Sequence, residues 1–206
     1  MSNTSRCFIT GCDSNTEWML PWFIKHYAKH NKTPIVFMDF GVSREMKGWL
    51  QADNIFADYI TMEKQKVGGW FYKPQALLAS PCEETCWIDT DIHVLGDLSG
   101  VWDHVEDNKL GMVEDNSGVV AMKGKPNILR KWADECRKNP KVGDQEVLHS
   151  MMLTPISRMT HINSVPNIYN WLRIQLLDGQ DNPNKLAMHW TGAKGKEQIK
   201  KIMYNE

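Results

Sequence analysis

Trp87-Ile88-Asp89-Thr90-Asp91-Ile92-His93-Val94 is the stretch on which the reading of this chain turns. The run Thr85-Cys86-Trp87-Ile88 predicts a buried strand, and two aspartates at i and i+2 follow directly at its carboxyl end. Two carboxylates so spaced can aim oxygen ligands at one hard cation. Mg²⁺ and Mn²⁺ prefer oxygen, and Mg²⁺ is typically held by one or two carboxylates together with substrate phosphates. Such a pair suits a nucleoside diphosphate. The plain alternative is a polar exit from strand to loop.

Outward from this stretch, short apolar runs alternate with helical ones. Cys7 to Thr10 predicts a strand ending at Gly11, and Ile35 to Phe40 a second, stopped by Gly41. Glu17 to His30, Arg44 to Gln51 and Pro74 to Ser80 predict helices, the first with Pro21 near its start. Leu98 to Val105 predicts a helix, and Leu110 to Val113 and Gly118 to Met122 predict strands. Ile128 to Lys138 is an amphipathic helix closed by Asn139-Pro140, and Gln145 to Met152 a helix capped by Asp144. Lys185 to His189 predicts a last strand, with a Lys-rich helix from about Lys196. The alternation implies an α/β sandwich with a largely parallel sheet, one domain over residues 1–206. In such sheets ligands bind beyond the carboxyl ends of the strands. Thr10-Gly11-Cys12-Asp13, Asp39 and Asp89-Thr90-Asp91 therefore carry the interest.

The whole chain is consistent with that. Its 206 residues are 42% hydrophobic and 24% charged, which excludes a disordered or fibrous chain. Lys+Arg 24 against Asp+Glu 25 gives a net charge of -1, against a dedicated nucleic-acid partner. No stretch approaches the roughly 18 apolar residues of a membrane helix, and the N-terminus lacks a signal-peptide layout. The five cysteines, an odd count, read as reduced thiols in a cytoplasmic compartment. Cys82-x₃-Cys86 near His93 lacks the second ligand pair that a zinc finger needs.

Further segments fall in register with Asp89-Thr90-Asp91. Tyr72-Lys73-Pro74 lies upstream; Asp115-Asn116-Ser117-Gly118, Gly143-Asp144-Gln145-Glu146, Asn167-Ile168-Tyr169-Asn170-Trp171 and Met188-His189-Trp190-Thr191-Gly192 follow. With these motifs the chain resembles the GT-A glycosyltransferases, specifically glycosyltransferase family 8, the glycogenin and bacterial galactosyltransferase group. The resemblance implies a GT-A, Rossmann-like sandwich and transfer of a sugar from a nucleotide-diphosphate sugar, a UDP-sugar by family habit. The acceptor would be a glycan, glycoconjugate or protein. It implies Mn²⁺ or Mg²⁺ on Asp89, Asp91 and His189. It implies donor contacts from Thr10, Gly11, Asp13, Lys73, Asp89, Asn116, Ser117, Gly192 and either Lys194 or Lys196, and catalytic roles at Gln145 and Asp144. The family's closing motif has a Lys three residues after its Gly, then Pro-Trp; here Gly195 holds that position and no Pro-Trp follows. The chain is also short for the family, leaving the acceptor side open or to be built by another chain or domain.

The resemblance also implies retention at the anomeric centre, and one local feature agrees: Gln145 is too weak a nucleophile for a covalent route, but its carbonyl oxygen can stabilise positive charge there. Asp144 as an inverting base is the alternative. Two other classes share the scaffold. A non-catalytic nucleotide- or carbohydrate-binding module would bind donor without turning it over. A nucleotidyltransferase usually carries a basic, Gly-rich loop after its first strand, and Thr10-Gly11-Cys12-Asp13-Ser14-Asn15 has no basic residue. Trp70, Trp171 and Trp190, near the motifs, are either sugar-facing platforms or ordinary packing residues.

Overall fold

The computed structural model describes residues 6–52, 56–63, 72–114 and 116–206. Trp70 and Asp115, drawn on above, lie outside the described residues. The strands are β1 (Arg6–Cys12), β2 (Ile35–Asp39), β3 (Phe56–Thr61), β4 (Glu84–Ile88), β5 (Ile92–Val94), β6 (Leu110–Val113), β7 (Asn116–Lys123), β8 (Ile162–Ser164), β9 (Trp171–Leu172) and β10 (Ala187–His189). The helices are α1 (Leu20–His30), α2 (Arg44–Ala52), α3 (Lys73–Ala79), α4 (Asn127–Lys138), α5 (Asp144–Met151), α6 (Pro155–His161), α7 (Arg173–Leu177) and α8 (Gly192–Asn205). None among the described residues is long and apolar enough to cross a membrane.

Seven strands form a sheet in the order β3-β2-β1-β4-β7-β6-β8. β1, β2, β3 and β4 are parallel, β7 runs against both β4 and β6, and β8 is parallel to β6. β1 lies inside the sheet and is covered on both faces, so its residues from Cys7 to Cys12 are all buried rather than alternately exposed. Phe8 faces the cluster of Phe23, Tyr27 and Trp102, whereas Cys7 and Ile9 face that of Leu77, Leu129 and Trp132. Ile128, Leu129, Trp132, Ala133 and Cys136 make the buried stripe of α4. The expected parallel α/β sandwich is present. The chain leaves β1 toward β2 on one side and toward β4 on the other, a switch point that opens a crevice at the strands' carboxyl ends.

A second sheet, β5-β10-β9, lies beyond β4. Antiparallel pairing sets His189 opposite Ile92, and the Trp190 N–H donates to the Asp91 carbonyl at 3.0 Å. This small sheet joins the C-terminal segment to the paired aspartates.

Local signals missed or misplaced several features. The sequence reading lacks β3, a half-polar edge strand, the short strands β5, β8 and β9, and the helices α6 and α7. Gly143, not Asp144, is the N-cap of α5, and the Asp144 side chain turns into the cavity. Five free thiols give way to a Cys7–Cys82 disulfide with Cα atoms 5.9 Å apart, leaving Cys12, Cys86 and Cys136 free and buried. The β1–β4 pairing, Cys7 opposite Thr85, brings these sulfurs together across 75 residues of sequence. The cytoplasmic reading, which rested on reduced thiols, loses that support. So does zinc on Cys82 and Cys86, since Cys82 is bridged and Cys86 packs on the other face of the sheet.

Candidate active site

A cavity of about 370 Å³ opens at the β1/β4 switch point. Gly11 and Asp13 line it from the turn after β1, Asp89 and Asp91 from the end of β4, and Asn116 and Ser117 from β7. Lys73 reaches it from α3, Asp144 and Gln145 from α5, His189 from β10, and Gly192 and Lys196 from α8. Thr10 and Lys194 do not line it. The Thr10 hydroxyl is fully buried and donates to the Ile88 carbonyl at 2.7 Å, tying β1 to β4.

Lys73 is the hub of the floor. Its buried ammonium lies 3.1 Å from Asp89 Oδ1 and 3.3 Å from Asp144 Oδ2, and donates to the Ser117 carbonyl at 2.9 Å and hydroxyl at 3.0 Å. Burial alone would drive this ammonium toward neutrality, but Asp144 and Asp89 outweigh it and hold its pKa above the ordinary lysine value. Asp144 also accepts from Ser117 Oγ at 3.1 Å, so both its neighbours hold it in the floor. The Trp87 indole N–H donates to Asp89 Oδ1 at 2.6 Å, a contact no local pattern announces.

Asp89, Asp91 and His189 converge beside this hub, each offering a ligand atom within 4.8 Å of the others. His189 Nε2 is 3.1 Å from Asp91 Oδ1 and 3.8 Å from Asp89 Oδ2. An octahedral Mg²⁺ site with ligands at about 2.1 Å has edges of about 3 Å, which the His189–Asp91 separation matches, while the distance to Asp89 is longer than an edge. The charges fit as well. The carboxylates of Asp13, Asp89, Asp91, Asp144 and Glu146 line the cavity with the ammonium groups of Lys73 and Lys196, and negative charge is in excess. Burial raises the Asp89 pKa, with Lys73 pulling against it and Asp91 adding to it. Burial opposes the charge on Asp91 too, but His189 prevails and holds its pKa below the usual range. Two carboxylates and an imidazole accept Mn²⁺ or Mg²⁺, the imidazole suiting Mn²⁺ better.

Gly11 and Asp13, expected at the nucleoside, have structural reasons of their own for their residue types. A Cβ at Gly11 would come within 2.5 Å of the Met38 carbonyl oxygen and 2.9 Å of Phe40 Cζ; the close approach there is by β2. Asp13 lines the cavity while its carboxylate accepts from the Asn15 N–H at 3.0 Å and the Thr16 hydroxyl at 3.1 Å, closing the turn before α1. At the other end the two candidate lysines differ in where they lie. A side chain at Gly195 would overlap the Trp190 carbonyl, so the position where the family carries lysine admits only glycine here. Lys196, one residue on, lines the cavity and lowers the Asp91 pKa; Lys194 is exposed outside it. Gln145 Oε1 accepts from the Ser117 N–H at 3.0 Å, which orients its amide.

A second cluster, His26, His93 and Glu206, also brings three possible ligands together. Its contacts run in a line, His93 Nε2 to His26 Nδ1 at 3.2 Å and His26 Nε2 to Glu206 Oε1 at 3.1 Å. Lys25 holds the same carboxylate at 2.8 Å. Burial and the cations around it, first among them His26, push the His93 pKa down to about 4. The line is a closed hydrogen-bonded chain in a cationic setting, unlike the acidic pocket of the floor.

No protein-family model and no curated protein sequence matches the chain. Solved structures do. The galactosyltransferase LgtC, in complex with donor and acceptor sugar analogs, superposes with a TM-score of 0.68 at 13% identity, over 97% of this chain and 95% of that one. The chain has the GT-A glycosyltransferase fold. The glycosyltransferase GlyE of Streptococcus pneumoniae TIGR4 gives 0.65 at 17% identity, over 92% of this chain and 55% of that one. Mouse xyloside xylosyltransferase 1 gives 0.56 at 11% identity, covering 89% and 96%.

Proposed function

We propose that the protein is a divalent-cation-dependent glycosyltransferase acting as one GT-A domain over residues 1–206. It moves a sugar from a nucleoside-diphosphate sugar, a UDP-sugar, to a glycan, glycoconjugate or protein acceptor. One observation carries the reading. Asp89, Asp91 and His189 converge with an excess of negative charge in the cavity that Lys196 also lines, at the switch point of this fold.

In this reading Asp89, Asp91 and His189 hold Mn²⁺ or Mg²⁺, which when bound supplies positive charge to the leaving diphosphate. Lys196, with the helix start at Gly192, offers a further cation to the same phosphates. Lys73, named above for donor contact, is assigned a supporting role in this reading. It keeps Asp89 and Asp144 in place, its ammonium already engaged by both and by Ser117. The nucleoside lies along Gly11 and Asp13, and Asn116 and Ser117 border the donor sugar.

Retention of configuration is the outcome that the same residues favour. An inverting base must take the acceptor proton, yet Asp144 is buried against Lys73 and Ser117. Gln145 keeps a carbonyl oxygen at the cavity wall, oriented by Ser117, where it can stabilise positive charge at the anomeric carbon. A panel of nucleotide sugars, assayed with and without Mn²⁺ for released nucleotide, tests the reading. Mn²⁺-dependent release from a UDP-sugar supports it. Donor binding without release from any sugar overturns it in favour of a binding module.

A further inference from the structure

We propose that Asn170 is a positioning residue that holds His189 as its Nδ1–H tautomer, turning the Nε2 lone pair toward Asp89 and Asp91. The proposal rests on the metal-dependent reading above and assigns a role outside the ligand set.

The argument starts from a group whose direction is not in question. The backbone N–H of Gly118 can only donate, and it does so to Asn116 Oδ1 at 2.9 Å. That oxygen is 2.8 Å from the Asn170 side-chain amide, so the Asn170 group facing it is the NH₂. Asn170 Oδ1 is thereby turned toward His189 Nδ1, 2.9 Å away. An amide oxygen accepts only, so Nδ1 carries the proton. In the neutral ring Nε2 is then bare, 3.1 Å from Asp91 and 3.8 Å from Asp89.

The alternative tautomer would point an Nε2–H at Asp91, making a satisfied hydrogen bond and a closed site with no need of a cation. The relay selects against that arrangement. Its location fits the task. Asn170 is fully buried, just before β9, the strand that pairs with the His189 strand. Gly118 has no Cβ, and one there would overlap the His189 ring. Outer partners of metal-binding histidines commonly set the tautomer in this way, and losing one typically costs about 10–100-fold in affinity.

The test begins on the metal-free protein with ¹⁵N-labelled histidine. Long-range ¹H–¹⁵N spectra are followed upward in pH until the His189 ring holds one proton. Wild type should carry it on Nδ1. Asn170→Asp, which keeps an acceptor against Nδ1, should do the same, whereas Asn170→Leu should move it to Nε2. Calorimetric titration with Mn²⁺ should then show a loss of about 10–100-fold for Asn170→Leu, largely restored in Asn170→Asp. A merely structural role would lower the melting temperature of both variants without separating their tautomers. A proton on Nε2 in wild type overturns the proposal whether or not metal binds, and needs no variant to fold. Unchanged tautomer and Mn²⁺ affinity in Asn170→Leu overturn it too. An Nδ1 proton in a wild type that binds no Mn²⁺ supports the relay and overturns the metal reading alone.

Discussion

Asp39 and Asp89 stand at the same edge of one sheet, each at the carboxyl end of a parallel strand, and they have opposite fates. Asp39, 1% exposed, is saturated by donors: the Gly41 and Val42 N–H groups at 2.7 and 2.9 Å, the Tyr59 hydroxyl, and Lys47 at 3.0 Å. Burial would raise its pKa, but these donors hold it below the ordinary value. Asp89 is partly buried, shares its surroundings with Asp91 and Asp144, and its pKa is raised. Position at a strand end therefore selects candidates and no more. The balance of donors against like charges separates a carboxylate that closes a turn from one left wanting a cation.

The contrast can be broken most severely at the acidic pair. Asp91→Asn, nearly isosteric, should fold and yet lose on the order of 10³-fold of cation-supported turnover, a ligand being worth at least one charge-stabilising donor. The same pair predicts ligand-linked stability. Mn²⁺ at about 100 times its dissociation constant should stabilise wild type by about 2.7 kcal/mol, and thermal denaturation of Asp91→Asn should show little of it. Full activity of Asp91→Asn in excess chelator would remove the distinction between the two carboxylates.

Lys196 sharpens the comparison from the cationic side. Lys196→Ala should cost about 10²–10³ in kcat, and Lys194→Ala should match wild type in the same assay. Equal losses would mean that lining the cavity does not decide which lysine acts.

Asp39 should answer in stability instead. Asp39→Asn keeps the shape but loses the charge that four donors satisfy, and should cost about 1–3 kcal/mol at neutral pH. A carboxylate with a depressed folded pKa contributes fully above its unfolded value, near 3.9, and loses that contribution as pH falls through the folded value. The melting-temperature gap between wild type and Asp39→Asn should thus be widest near neutrality and close in acid. A gap independent of pH would show that charge on Asp39 is not what the turn requires. The smallest effect is expected at the histidine line: His93→Ala should leave Mn²⁺ dependence unchanged and cost about 1 kcal/mol by denaturant titration.

Residues close in sequence were the ones a reader of the sequence alone could place. β1, β2, β4 and α4 announce themselves by apolar runs or a 3.6-residue stripe, because burial of a local face writes its period into the chain. Asp89 and Asp91 were legible for a related reason: two residues past a strand end share one environment whatever the rest of the fold does. Lys73, Asn116, Ser117, Asp144, Gln145 and His189 were named as site residues only through the resemblance, and the cavity does gather them.

Tertiary structure alone decided what those residues touch. Asp144 reads as a helix cap, because helix starts favour Asp; the packing of α5 beside β7 and α3 gave it Lys73 and Ser117 instead. Cys7 and Cys82 read as two of five thiols until the β1–β4 register set them together. Gly195 reads as a lost lysine, but the Trp190 carbonyl leaves no space for one, and Lys196, one residue on, is the lysine that lines the cavity. The orientation of His189 depends on a backbone N–H in β7 and two asparagines from separate segments, a chain of contacts with no period along the sequence. Local order follows from each segment's own burial pattern, whereas partners across the fold follow from strand order and register, which a single chain's local chemistry does not encode in any one place.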